Sequence, residues 1–355
     1  MHRVLATQLD AKNPYQSQSR DGAWSSSCHG SDEAGRWTAE DEARSVVLNR
    51  GLATDKYVRG SCLGNGGWSW VYKVLRVTDG RVLAGKSSEA VAKMRRESDI
   101  LQSLHHHHIV KFIDWHEQPG NAPATLLMTE LCSHGTLQTR IDHASPNMDR
   151  EEMLLVVRQV GGALAYLHER HLFHTDVKAR NILVRGLGPL DVVLADCGDV
   201  RNVEAQHVRN VEAQQQRRRG RRRGGGANDA LRGTPSYYSP EIVRHNRHVG
   251  PGDDVWALGV TLLGMVAQWP DLRRHDKAEL RAYPGRCAAH ARTLMALNPG
   301  HELVGLLARM LETDEAARAG ARECADVAAR LLLECHGGAE LGIEAPGDFR
   351  PISFW

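Results

Sequence analysis

The sequence has no two cysteines at CxxC spacing, and its seven cysteines are an odd number, so neither a zinc ribbon nor a paired disulfide framework is expected. A reducing compartment suits such a chain. Long apolar runs are also lacking. The longest, Val255–Ala267, falls short of a bilayer's thickness and predicts a buried core helix instead. The opening residues MHRVLATQLDAKNPYQSQS lack the apolar centre of a secretory signal, which predicts a cytoplasmic or nuclear location with no membrane span. Neither sign of charge dominates: a net charge of +2 points to no polyanionic partner for the chain as a whole. What is present is 355 residues, 41% hydrophobic and 25% charged, enough for one large domain or two lobes with a core.

Residues 1–56 are rich in Ser, Gln, Asp and Gly without a sustained period, and are expected to be mostly disordered, with one helix signal at Thr38 and Asp41. From Tyr57 the runs YVRGSCL, WVYKVLRV and RVLAGK read as short strands divided by GNGG and TDG turns. A helix is predicted around 89–104, and two more strands near 110–116 and 124–130. These make a small β-rich lobe over about 57–130. From 131 to about 334 the pattern is helical. Asp149 and Glu152 suggest a capping box with Met148 and Met153 as its staple. Met153, Val157, Val160, Leu164 and Leu167 then repeat at spacings of four and three, marking one apolar helix face. Short β runs at 182–185 and 191–195 interrupt the helices, and the tail at 335–355 is irregular. A low-complexity insertion occupies 199–230: VRNVEAQH at 200–207 is repeated as VRNVEAQQ at 208–215, followed by RRRGRRRGGG.

Between the first two β runs lies Gly64-Asn65-Gly66-Gly67-Trp68-Ser69-Trp70-Val71. Glycines let a backbone approach phosphates and aim its N–H groups at them, although a plain hairpin would use them equally. Val82-Leu83-Ala84-Gly85-Lys86 follows on the next strand, and Glu97 opens ESDILQSLHHHHIV. Further on stand His174-Thr175-Asp176-Val177-Lys178-Ala179-Arg180-Asn181, then Asp196-Cys197-Gly198, GTPSYYSPE at 233–241, DVWALG at 254–259, and Arg318. One acid, one cation and one amide immediately before a β run are hard to explain structurally.

In this order the motifs resemble the eukaryotic protein kinase domain, serine/threonine type, over about 57–334. The resemblance implies an α+β, two-lobed protein kinase fold with a small β-rich N-lobe and a larger helical C-lobe. It implies ATP and Mg²⁺ as cofactors and protein substrates as partners. Lys86 would hold the ATP α- and β-phosphates and pair with Glu97. Asp176 would accept or orient the substrate hydroxyl, and Lys178 would neutralise the transferring phosphoryl group. Asn181 and Asp196 would ligate Mg²⁺, a hard ion suited to amide and carboxylate oxygens. Leu63, Gly64, Gly66 and Ser69 would cover the phosphates. Val71, Ala84 and Leu183 would sandwich adenine, with Thr129 as gatekeeper and Glu130 to Cys132 as the hinge. Each of those apolar residues would serve equally as plain core. Glu241 and Arg318 would form a scaffold pair.

Several positions depart from the family pattern. Ser69 replaces the third loop glycine, and Trp68 would sit at the loop tip. Cys197 replaces a phenylalanine and fills less space; a buried, inert thiol is expected. Thr175 replaces the arginine that in the family grips an activation-loop phosphate. In agreement, no Ser, Thr or Tyr lies between Asp199 and Gly233, so phosphorylation in that stretch is not expected to switch the protein. Arg180 stands where arginine-preferring kinases carry an acid, which argues against a basic consensus site. The Arg217–Arg223 run reads first as a solvated excursion and second as a dock for an acidic partner; without aromatic residues it does not suit nucleic acid. His105–His108 read as turn histidines rather than metal ligands. The alternative function is a pseudokinase scaffold, which loss of Lys86, Asp176 or Asp196 would have signalled.

Overall fold

The computed structural model describes residues 35–49, 56–66, 69–117, 125–143, 148–202, 233–248, 250–272 and 277–340. Trp68, most of the 199–230 insertion with Arg217–Arg223, and the tail after 340 lie outside the described residues.

The strand-forming runs build one antiparallel sheet. Its members are β1 (Val46–Asn49), β2 (Lys56–Gly66), β3 (Ser69–Arg76), β4 (Arg81–Ser88), β5 (Phe112–His116) and β6 (Leu126–Glu130). They lie in the order β1-β2-β3-β4-β6-β5. The register pairs Val71 with Lys86, Lys73 with Ala84, and Ala84 with Thr129. Directly opposed residues share a face, as do residues two apart along a strand. Val71, Lys73, Ala84, Lys86 and Thr129 therefore point one way, toward the cleft between the lobes. The other face carries Leu48, Tyr57, Val74, Leu83, Leu126 and Met128, a small core of its own. Gly85 belongs to that outer face, where a Cβ would lie 2.6 Å from Val74 Cγ2. The branched side chain of Val74 takes the space that a larger residue at 85 would need.

Of the extension before Tyr57, residues 35–49 and 56 are described, and they hold regular structure. α1 (Ala39–Ala43) starts at the signal read from Thr38 and Asp41: a reciprocal capping box joins the two. β1 adds an edge strand, pairing Leu48 with Tyr57. Four residues are too short a run to show a period, which is why the sequence hid them.

α2 (Val91–Ser103) packs Met94 and Leu101 beneath the sheet. This core continues without a break into the helical lobe through Ile109, Leu127 and Leu194. There α3 (Leu137–His143) precedes α4 (Arg150–His168), whose N-cap Asp149 accepts from Glu152 N at 2.7 Å. Only that half of the predicted capping box forms, because the Glu152 carboxylate binds Arg140 of α3 instead. α4 is also buried beyond its predicted face, with Leu154, Val156 and Ala163 enclosed as well. Two hairpin strands, β8 (Ile182–Leu187) and β9 (Leu190–Leu194), follow the short β7 (Leu172–Phe173), which pairs with β10 (Arg201–Asn202). The predicted helical stretch resolves into α5 (Pro240–His245), α6 (Pro251–Val266), α7 (Lys277–Leu297), α8 (Glu302–Met310) and α9 (Ala321–Glu340), so the helix outlasts the expected boundary at 334. The apolar run at 255–267 is the buried α6. No helix among the described residues is long and apolar enough to cross a membrane.

Candidate active site

The cleft between the two lobes collects the residues singled out above. Gly64 pairs with Val71 and Gly66 with Ser69, so the glycine loop is a hairpin over the cleft. Leu63, Val71, Ala84 and Leu183 are each half-buried, unlike the fully enclosed apolar residues of the two cores. Glu130 is fixed through both backbone and side chain, donating its N–H to Lys111 O at 3.0 Å and accepting from Lys111 N at 2.9 Å through Oε1. Behind it, Leu183 bridges Thr136. Cys132 is half-buried, and burial pushes its thiol up to about 12, which leaves it unreactive at neutral pH.

Lys86 is the hinge pin of the charges. Its Nζ lies 2.8 Å from Glu97 Oε2 and 2.7 Å from Asp196 Oδ1, joining β4, α2 and the segment after β9. Burial alone would lower Lys86, but the two carboxylates hold it above the ordinary lysine range. The positive charge of Lys86 beside Asp196 keeps that carboxyl well below its usual range. Glu97 goes the other way, raised by burial. One cation shared by two carboxylates thus leans electrostatically toward Asp196, whose side chain is 42% exposed to the cleft.

The loop at 174–181 is organised by a residue of α6. The buried Asp254 carboxylate accepts from His174 N at 2.7 Å, Thr175 N at 2.8 Å and His168 Nε2 at 3.0 Å. Burial would raise this carboxyl, but the bond from His168 and the nearby imidazoles hold it below the usual range. These bonds explain an unusual backbone. Thr175 has φ of 69°, a conformation that costs a β-branched residue about 1–3 kcal/mol. Each charge-assisted bond to Asp254 contributes about 1.5–3 kcal/mol, enough to offset it. The loop then turns Asp176 toward Lys178 Nζ (2.7 Å to Oδ2) and Asn181 Nδ2 (3.0 Å to Oδ2). Asn181 Nδ2 also donates to Asp176 O at 2.8 Å, so the carbonyl end of this amide is the oxygen left for other ligands. The backbone carbonyl of Asn181 accepts from Ala195 N at 2.8 Å, which ties this residue to the one preceding Asp196.

Thr234 joins this group without having been singled out. Its Oγ1 accepts from Lys178 Nζ at 3.0 Å and stands 3.5 Å from Asp176 Oδ1. The only signal in the sequence was its place in the GTP motif. The preceding Gly233 has φ of +108°, and a Cβ there would meet Thr175 O at 3.2 Å. The position therefore disfavours other residues on two grounds.

The segment that follows Asp196 is fastened to both lobes. Cys197 is fully buried, and burial raises its thiol far above the ordinary range, in keeping with an inert cysteine. Asp199 binds Lys93 of α2 through its carboxylate at 2.8 Å and Thr175 Oγ1 through its carbonyl at 2.9 Å. Arg96 Nη2 reaches Val200 O at 3.2 Å. Further down, Arg318 pairs with Glu241 at 2.9 Å inside the helical lobe. His107, His108 and Asp191 come together. However, the Arg185 guanidinium already binds Asp191 at 2.7 Å and His107 Nε2 at 2.8 Å, so a cation occupies that cluster.

The protein kinase domain pattern matches residues 57–328. The chain belongs to the protein kinase domain family. Among curated relatives, it is 28% identical to serine/threonine-protein kinase PLK2 of Mus musculus over 248 residues, 68% of this chain and 32% of that protein. It is 31% identical to serine/threonine-protein kinase ULK3 of Xenopus laevis over 208 residues, 56% of this chain and 39% of that protein. Smooth muscle myosin light chain kinase of Gallus gallus is 27% identical over 243 residues, 67% of this chain and 12% of that protein. The chain thus spans about a third of the length of the PLK2 relatives it matches. The two-lobed α+β kinase fold implied by the motif order is the fold this chain has.

Proposed function

We propose that this chain is a protein serine/threonine kinase that transfers the γ-phosphoryl group of ATP to hydroxyls of protein substrates. One observation carries the reading: Lys86 is held between Glu97 and Asp196, the arrangement in which a fixed ammonium meets the nucleotide's phosphates. Adenine fits between Val71 and Ala84 above and Leu183 below. Their half-burial supports a ligand wall over plain core.

The donor set suits Mg²⁺: an exposed carboxylate at Asp196 and an amide whose nitrogen is committed elsewhere at Asn181 are the hard oxygen ligands it prefers. When bound there, the ion would neutralise charge on the β- and γ-phosphates. Asp176 Oδ2 is engaged by Lys178 and Asn181, whereas Oδ1 has only the long 3.5 Å contact from Thr234, so Oδ1 is the atom to receive the substrate hydroxyl proton. The hydroxyl oxygen then bonds to the γ-phosphorus, the bond to the β–γ bridging oxygen breaks, and ADP leaves. Lys178 Nζ stands by to neutralise the transferring group. Serine/threonine specificity is supported by Lys178, by the GTPSYYSPE segment and by the nature of the relatives. An acidic substrate segment would complement both Arg180 and the Arg217–Arg223 run.

The test is transfer of labelled phosphate from Mg-ATP to a generic protein substrate, with Asp176→Asn as control. Removing a positioned base should lower kcat by at least about 100-fold. Equal labelling by the two proteins would favour the scaffold alternative.

A further inference from the structure

The N-terminal extension reaches the nucleotide cleft. Lys73 lies two residues beyond Val71 and pairs in register with Ala84, so its side chain is on the cleft face of the sheet, beside the adenine position. There it is buried. Its Nζ donates to Asp41 Oδ2 at 3.1 Å and to Arg36 O at 3.0 Å. Asp41 is completely buried. Beyond Lys73 it takes hydrogen bonds from the backbone and hydroxyl of Ser61, two residues before Leu63, and from those of Thr38. The Trp37 ring covers Gly60, where a Cβ would come within 2.7 Å of Trp37 Cη2. Gly35 in turn lies against the residue after Cys132: a Cβ on Gly35 would stand 3.4 Å from Ser133 Cβ. Residues 35–41 therefore run from the hinge across the cleft face of β2 and β3.

We propose that this segment is part of the nucleotide site: a strap that walls the cleft's outer mouth beside adenine, with the Asp41–Lys73 pair as its latch. The ligand class is the adenine nucleotide, so the inference rests on the proposed function above. A buried carboxylate with five donors, facing a buried lysine, is a built contact rather than a chance touch of a terminal arm. Loss of one partner leaves the other uncompensated. The strap also replaces water at the edge of the adenine position, which strengthens the hinge's hydrogen bonds to the base.

The experiment measures the Kd of a non-hydrolysable ATP analogue by calorimetry, and KM for ATP against kcat, in the full chain. The variants are Asp41→Asn and Lys73→Met, which open the latch, and Trp37→Ala, which thins the strap with the latch intact. Glu40→Gln, on the exposed side of α1, is the control. The first two should raise the analogue's Kd and the ATP KM about tenfold, with kcat and the KM for protein substrate unchanged and Trp37→Ala moving the same way. Unchanged nucleotide affinity in a folded Asp41→Asn protein would overturn the proposal. Should the latch variants fail to fold, unchanged affinity in Trp37→Ala would do so. Weakened analogue binding in the variants, with no phosphoryl transfer by any of the proteins, would support the strap and overturn the transferase reading alone.

Discussion

Lys93 of α2 and Asp199, the residue after Gly198, form an ion pair at 2.8 Å, and the same Asp199 holds Thr175 through its carbonyl. Thr175 stands where the family's phosphate-gripping arginine would be. A hydroxyl, a lysine and Arg96 together fasten the segment after Asp196 to α2 and to the loop at 174–181.

Phosphatase-treated recombinant protein should therefore retain its activity. The pair itself is half-exposed, with Lys93 at 42% and Asp199 at 16%, so Lys93→Ala alone should cost about 1 kcal/mol or less, up to roughly fivefold in kcat/KM. Combining it with Thr175→Val should cost more than either change, since both release the same residue. Steady-state kinetics after phosphatase treatment check this; complete loss on dephosphorylation would refute it.

Thr234 Oγ1 bridges Lys178 and Asp176. Thr234→Ser should keep activity, and Thr234→Val should lower kcat about tenfold with the ATP KM unchanged, since one charged hydrogen bond is lost. A phosphate on this oxygen would set negative charge against Asp176. Thr234→Glu should abolish transfer, and a Thr234→Glu protein more active than wild type would contradict the geometry.

The N-terminal latch has a pH signature. Burial raises Asp41, but the bonds from Ser61, Thr38 and Lys73 outweigh it and bring the group down from 3.8 to about 2. A carboxyl depressed in the folded state contributes stability above its unfolded value and loses it as pH falls through the folded value. Wild type should lose roughly 2 kcal/mol more than Asp41→Asn between pH 4 and pH 2. Urea midpoints at the two pH values report the difference, and parallel curves for the two proteins would rule the linkage out.

Arg180 is an exposed residue of the loop at 174–181. A positional peptide array should show no preference for arginine upstream of the acceptor, and Arg180→Glu should raise labelling of arginine-rich peptides severalfold. An arginine preference in the wild-type protein would reverse this expectation.

Much of the site was legible because phosphoryl transfer dictates the side chains themselves. Lys86, Glu97, Asp176, Lys178, Asn181 and Asp196 could be read as candidates from chemical type and order, and the structure brings them around one cleft. What sequence could not give depends on contacts between distant residues. Thr234 gains its place only when the 233–241 segment returns to the catalytic loop. Asp41 reads as a helix-start residue until Ser61 and Lys73, 20 and 32 positions away, close around it. β1 has too few residues to show alternation, and Glu152 had a second partner in Arg140 that outcompeted the cap.

The space shared by Val74 and Gly85 has a consequence for inheritance. Val74 Cγ2 lies 2.6 Å from where a Cβ on residue 85 would stand, one place before Lys86. A side chain at 85 therefore requires Val74 to rotate or give way to a smaller residue, so related sequences with a larger residue at 85 should show a changed partner at 74, with the lysine beside it unchanged.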